Sequence, residues 1–125
     1  MADNSNRTLV CSIVFLDIVE YSRKPVGEQL ALKQSFNSIV GFALADVKPR
    51  DRIVLDTGDG AAVTFLGDPE DALFAAMAMR DAMAAQPGLP VRIGINLGPA
   101  RLIKDINGNP NIIGDGINVA QRVMS

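Results

Sequence analysis

Residues 8–18 read TLVCSIVFLDI, an apolar and largely β-branched run that contains neither Gly nor Pro and closes on an aspartate. This pattern predicts a buried strand that delivers Asp17 at its C-terminal end. Immediately beyond it, Val19 to Pro25 reads as a turn. From Val26 the apolar positions Leu32, Phe36, Ile39, Val40, Ala43, Leu44 and Val47 recur at three- and four-residue spacing, which predicts a helix with one buried face that stops before Pro49. Residues 51–68, DRIVLDTGDGAAVTFLGD, then hold two short β-prone runs around Thr57-Gly58-Asp59-Gly60. Asp-Gly and the flanking glycine tolerate positive φ, so a hairpin with Asp59 at its tip is expected.

The same reading continues to the end of the chain. Asp68 can N-cap a second helix with Pro69 in its first position and Glu70 and Asp71 complementing its dipole, while Ala72, Leu73, Ala76, Met77, Arg80 and Met83 supply its stripe. Gln86, Pro87 and Gly88 end it. Residues 90–103, PVRIGINLGPARLI, read as another strand in which Gly94 and Gly98 mark a bulge or a close backbone approach. Asp105 to Pro110 is a turn, and Gly114-Asp115-Gly116 opens a further helix with Ile117, Ala120, Val123 and Met124 on one side. The resulting order predicts an α+β fold, an antiparallel or mixed sheet covered by helices in the ferredoxin-like manner. Ser125 falls inside an amphipathic run without a C-cap signal, so residues 1–125 are expected to form one domain that is incomplete at its C-terminus.

Composition narrows the chemistry. Of the 125 residues 48% are hydrophobic and the formal net charge is -2, which suits one globular core and displays no basic patch for nucleic acid. No apolar stretch reaches the length of a bilayer span and no leader is evident, so a soluble, cytoplasmic domain without membrane contact is expected. With one cysteine, Cys11, and no histidine, disulfides, the usual zinc sets and Ser-His or Cys-His nucleophiles are excluded. Any metal must therefore be held by oxygen, which favours hard cations.

Asp17 and Asp59 come from adjacent elements of the expected sheet, and two convergent carboxylates suit two hard cations at a transferring phosphate. Each is also a common residue for its own backbone setting, at a strand end and in an Asp-Gly turn. Between Asp17 and the first helix, Ile18-Val19-Glu20-Tyr21-Ser22 could point backbone N–H groups at a polyphosphate. Asn118 and Arg122, four apart, place an amide and a guanidinium on one helix face, where either solvation or the gripping of a phosphoryl group would suit them.

The order of four segments is more specific than any one of them. Phe15-Leu16-Asp17-Ile18, Thr57-Gly58-Asp59-Gly60, the run from Val91 to Pro99, and the run from Ile113 to Arg122 together resemble the successive motifs of class III adenylate and guanylate cyclases. The resemblance implies that Asp17 and Asp59, assisted by the Ile18 carbonyl, bind two divalent ions, Mg2+ or Mn2+. It likewise implies that Asn118 and Arg122 stabilise the transition state as a nucleoside triphosphate is converted to a 3',5'-cyclic nucleotide and pyrophosphate, a signalling reaction. The family works as a head-to-tail dimer, so a homodimer with two composite sites is implied.

Three positions depart from the family pattern. Leu55 stands three residues before Gly58, where purine cyclases usually carry lysine, and Asn111 stands where an aspartate or threonine usually reads the base. A leucine cannot hydrogen-bond a purine edge, and Asn offers donor and acceptor where Asp only accepts, which leaves the base open and admits a pyrimidine-selective variant. Glu20 replaces the glycine common in the phosphate-wrapping turn. A non-catalytic cyclase-homology module for nucleotide sensing or dimerisation is the alternative. A diguanylate cyclase fits less well, because the Thr57–Gly60 tip lacks the second acidic residue and the aromatic of that hairpin.

Overall fold

A computed structural model describes residues 8–113. Strand β1 (Thr8–Ile18) is followed by helix α1 (Val26–Ala43), strands β2 (Arg52–Asp56) and β3 (Gly60–Phe65), helix α2 (Pro69–Ala84), and strands β4 (Val91–Lys104) and β5 (Pro110–Ile113). The five strands form one sheet in the order β2-β3-β1-β4-β5. Every neighbouring pair is antiparallel, which selects between the antiparallel and mixed sheets admitted by the sequence. β1 lies at the centre, so its apolar run is covered on both faces, and Ile13, Val14 and Leu16 are fully buried.

Both helices pack on one face. Val14, Leu16 and Ile18 of β1 and Ala61, Val63 and Phe65 of β3 meet Phe36, Ile39 and Val40 of α1 and the inner stripe of α2. That stripe is Ala72, Ala75, Ala76, Met79 and Met83. It is rotated from the expected one: Leu73, Met77 and Arg80 are exposed, because alanines on the inner side let the helix sit close to the sheet. Asp68 does cap α2, its Oδ1 accepting from Glu70 N at 2.9 Å, with Pro69 in the first turn. A cap of this kind contributes about 1 kcal/mol.

Helix α1 ends at Ala43, five residues earlier than Pro49 alone requires. The Ala45 N–H turns back to Phe42 O at 3.2 Å and Val47 N–H to Leu44 O at 3.0 Å, tightening the chain into turns. Leu44 and Val47 are still buried, so their apolar spacing reports the core and not helix length. Arg52 Nε donates to Val47 O at 3.0 Å and satisfies a carbonyl in the turns that follow the helix.

On the opposite sheet face, Phe15 and Ala62 pack with Leu55, and Leu55, Leu66 and Leu102 pack against Cys11, Ala100 and Ile112. β5 approaches β2 although the two lie at opposite ends of the strand order, so the sheet curls over this face. β5 begins at Pro110, inside the expected turn, and four residues led by a proline give little periodicity to read. The turn before it is organised by Asp105, whose Oδ1 accepts from Asn107 N at 2.8 Å and Asn109 N at 2.9 Å. β1 and β4 stay in register from Thr8↔Arg101 to Ile18↔Val91, so Gly94 and Gly98 mark no bulge; they lie opposite Phe15 and Cys11.

One glycine is required by contact. A Cβ on Gly60 would overlap the Leu16 carbonyl oxygen and sit 2.9 Å from Asp17 Cα. Gly60→Ala should destabilise the protein by on the order of 3 kcal/mol, because backbone must move to admit the methyl. Urea denaturation checks this; an unchanged midpoint would contradict the close approach.

Candidate functional site

Asp17 stands opposite Gly60 in the β1–β3 ladder, and Ile18 N–H donates to Asp59 O at 2.8 Å. Two residues 42 positions apart in sequence thus become neighbours at one end of the central strands. Asp17 is mostly covered and Asp59 is exposed at the hairpin tip. Gly58, at φ 88, makes the turn between β2 and β3.

The tip is tied down by a residue that sequence reasoning missed. Lys33 Nζ, from α1, donates to Asp56 Oδ1 at 3.0 Å and to Gly60 O at 3.1 Å. Asp56 Oδ1 also accepts from Gly58 N at 2.8 Å. Lys33 therefore grips both ends of the Thr57–Asp59 loop from a largely buried position beside the Phe36 ring. Its place on the inward side of α1, among Leu32 and Phe36, was a readable signal for a lysine whose covered stem carries its ammonium to a partner.

The second missed residue is Arg92. It lies directly opposite Asp17 in the β1–β4 ladder, and its Nη2 donates to Asp17 Oδ2 at 2.7 Å. One flank of Asp17 thus carries a guanidinium, while the other faces a glycine and lies open toward Asp59.

The segment after β1 splits in its behaviour. Val19 N–H donates to Pro90 O at 2.9 Å and so is committed to the fold, contrary to the expectation that it is free to meet phosphate. Tyr21 to Arg23 form a single 3-10 turn, closed by Arg23 N to Glu20 O and Lys24 N to Tyr21 O, each at 3.1 Å. Glu20 is left-handed at φ 58, ψ 26, the conformation that glycine adopts without penalty. Its carboxylate turns to Arg23 at 3.6 Å on the surface. Ser22 is exposed and Tyr21 half-buried.

The expected base-reading positions part company. Leu55 packs within the apolar cover of the curled face, against Phe15 and Ala62. Asn111, on β5, turns its Oδ1 to accept from Ile112 N at 2.7 Å. Asn118 and Arg122 lie outside the described residues.

Oxygen donors of this kind suit a hard divalent ion and not a soft one. The backbones that carry Asp17, Ile18 and Asp59 are neighbours, and among the described residues there is no cluster of three or more acidic, histidine or cysteine side chains. Mg2+ is commonly held by one or two carboxylates, with waters and substrate phosphates completing its shell.

Two outcomes follow from these contacts. The Gly58 N–H, and then Lys33, hold the Asp56 carboxyl below its ordinary value. The stabilisation is therefore present above the unfolded value of about 3.9 and is lost as pH falls through the lower folded value. In urea denaturation the advantage of wild type over Asp56→Asn should be constant above about pH 5 and shrink below about pH 4. Glu20→Gly should raise stability by about 0.5 kcal/mol, the relief of the left-handed conformation exceeding the added freedom of the unfolded chain. A lower melting temperature for that variant would contradict the backbone assignment.

No protein-family model matches the sequence, and no curated protein does. Solved structures do match the fold. An adenylate/guanylate cyclase/hydrolase from Silicibacter pomeroyi superposes with a TM-score of 0.73 at 25% identity, over 94% of this chain and 70% of that one. A bacterial light-regulated adenylyl cyclase gives 0.72 at 20% identity over the same shares. The catalytic core of a rhodopsin-guanylyl cyclase with converted specificity, in complex with ATPαS, gives 0.68 at 19% over 95% of this chain and 74% of that one. With its antiparallel five-stranded sheet and two helices on one face, the chain has the fold of the class III adenylyl and guanylyl cyclase catalytic domains.

Proposed function

We propose that this chain is a nucleotidyl cyclase domain, converting a nucleoside triphosphate to a 3',5'-cyclic nucleotide and pyrophosphate. The observation that carries the reading is the meeting of Asp17 and Asp59 through the β1–β3 register and the bond from Ile18 N to Asp59 O at 2.8 Å. Asp17, Asp59 and the Ile18 carbonyl would hold two divalent ions, Mg2+ or Mn2+. Bound there, such ions lower the pKa of an attacking hydroxyl and neutralise charge on the phosphate. The ribose 3'-hydroxyl gives its proton to water, its oxygen attacks the α-phosphorus, and pyrophosphate leaves as the bond to the bridging oxygen breaks.

The chain's own residues set the geometry. Lys33 ties the hairpin that bears Asp59 to α1, and the 3-10 turn at Tyr21 and Ser22 follows Asp17 closely in the chain, where the triphosphate would pass. Asn118 and Arg122 would contribute an amide and a guanidinium to the charged transition state, supplied across a homodimer so that each site is composite. Leu55 is engaged in apolar packing and offers no polar group to a purine edge, which leaves pyrimidine triphosphates as substrates to be compared with purine ones.

Product analysis with ATP, GTP, CTP and UTP in the presence of Mn2+ is the direct test; absence of cyclic product from all four would overturn the proposal. Asp17→Ala and Asp59→Ala should each reduce turnover by roughly 100-fold or more, the scale of removing a principal electrostatic group from a site. Mixing Asp17→Ala with Asn118→Ala should restore activity if the site is shared between protomers.

A second reading, a cyclase-homology module that binds nucleotide or dimerises without turnover, is favoured by Leu55 and by the Glu20 carboxylate beside the expected phosphate path. Calorimetry with a non-hydrolysable triphosphate and Mn2+ separates the two: binding by a protein that forms no product identifies the module.

A further inference from the structure

Asp59 stands in a turn that packing does not hold. Residues 56–59 are exposed, and a Cβ added to Gly58 would meet nothing within 4 Å. Asp59 also lies between Gly58 and Gly60, the residue type with the most backbone freedom to lose on folding. Hydrogen bonds must therefore fix its place. Within the turn, Thr57 N–H donates to Gly60 O at 3.2 Å and Gly58 N–H to Asp56 Oδ1 at 2.8 Å. Lys33 Nζ donates to the same two acceptors, to Gly60 O at 3.1 Å and to Asp56 Oδ1 at 3.0 Å, from a side chain that is only 15% exposed. The ammonium lies 5.2 Å from the centroid of the Phe36 ring, a further contact that keeps the lysine in one place. One group on α1 thus holds both acceptors on which the turn's own hydrogen bonds close.

We propose that Lys33 is a positioning residue for the reaction: it fixes the shape of the Thr57–Gly60 turn and, through it, the place of Asp59, without touching substrate. The inference deepens the reading of the chain as a nucleotidyl cyclase and rests on it for its activity measurement alone. A hydrogen bond between an ammonium and a carboxylate is charge-assisted and stronger than the turn's neutral ones. Asp56 is 65% exposed, so solvent screens the pair and its share of global stability is small. The effect of Lys33 is therefore local. Its loss leaves the sheet standing and returns to the glycine-flanked turn the freedom that its sequence permits.

Amide hydrogen exchange followed by NMR, on the full chain without metal or nucleotide, tests this with Lys33→Met. Methionine keeps an apolar stem beside Phe36 and removes both donors. The Thr57 and Gly58 amides should exchange about tenfold faster than in wild type, the scale of one lost bond to a charged group, while those of Ile13 and Val14 in β1 stay within about twofold. In cyclic-nucleotide formation kcat should fall about tenfold with KM within about twofold, the mark of a misplaced group and not of lost substrate binding. Lys33→Arg restores a cationic donor and should bring both readouts back toward wild type; Lys33→Gln serves where the methionine variant folds poorly. Unchanged exchange at Thr57 and Gly58 would overturn the proposal, and so would an equal rise throughout β1, which would make Lys33 a general stabiliser. A faster turn with unchanged kcat would overturn the role in the reaction. If wild type forms no cyclic nucleotide the functional reading fails, and the exchange comparison still decides whether Lys33 fixes the turn.

Discussion

At residue 60 the chain passes so close to β1 that a single methyl group would meet the Leu16 carbonyl oxygen and Asp17 Cα. This approach sets the register in which Asp17 faces Gly60, and with it the bond from Ile18 N–H to the Asp59 carbonyl. A sheet that tolerated a side chain here would separate the hairpin from the end of β1 by the width of that side chain. The two aspartates would then belong to separate surfaces. Close backbone packing, which is a property of the core, thus acts as the constraint that assembles a polar site at the core's edge.

Much of this architecture was legible because burial on both faces of β1 demands an unbroken apolar run, and because Thr57-Gly58-Asp59-Gly60 has few conformations other than a turn. Asp68 and Pro69 announced α2 for equally local reasons. Where sequence reasoning went astray, the cause was a periodicity shared by different structures. Leu44 and Val47 continue the spacing of α1 yet reach the core from turns, and Leu73 and Met77 fit a helical stripe whose inner face is held by smaller alanines. β5, led by Pro110, is too short for alternation to show.

The places of Asp17 and Asp59 in the fold were legible, and their basic neighbours were not. Asp17 and Asp59 sit at places that local rules single out, a strand end and a turn. Lys33 and Arg92 gain their significance only from partners 23 and 75 positions away. Pairings at that distance depend on strand register and helix docking, and periodicity is silent on both. Leu55 shows the complementary case: its departure from a familiar motif was visible, but its packing against Phe15 and Ala62 follows from the curl of the sheet.

Lys33 also has a mechanical meaning. Its helix begins three residues after the 3-10 turn that follows Asp17, and the lysine reaches across to Asp56 and Gly60. The covalent run from β1 and the noncovalent grip on the hairpin therefore end on the same rod. One helix is thereby fastened to the chain on both sides of the aspartate pair, so the pair shares a single anchor in the fold.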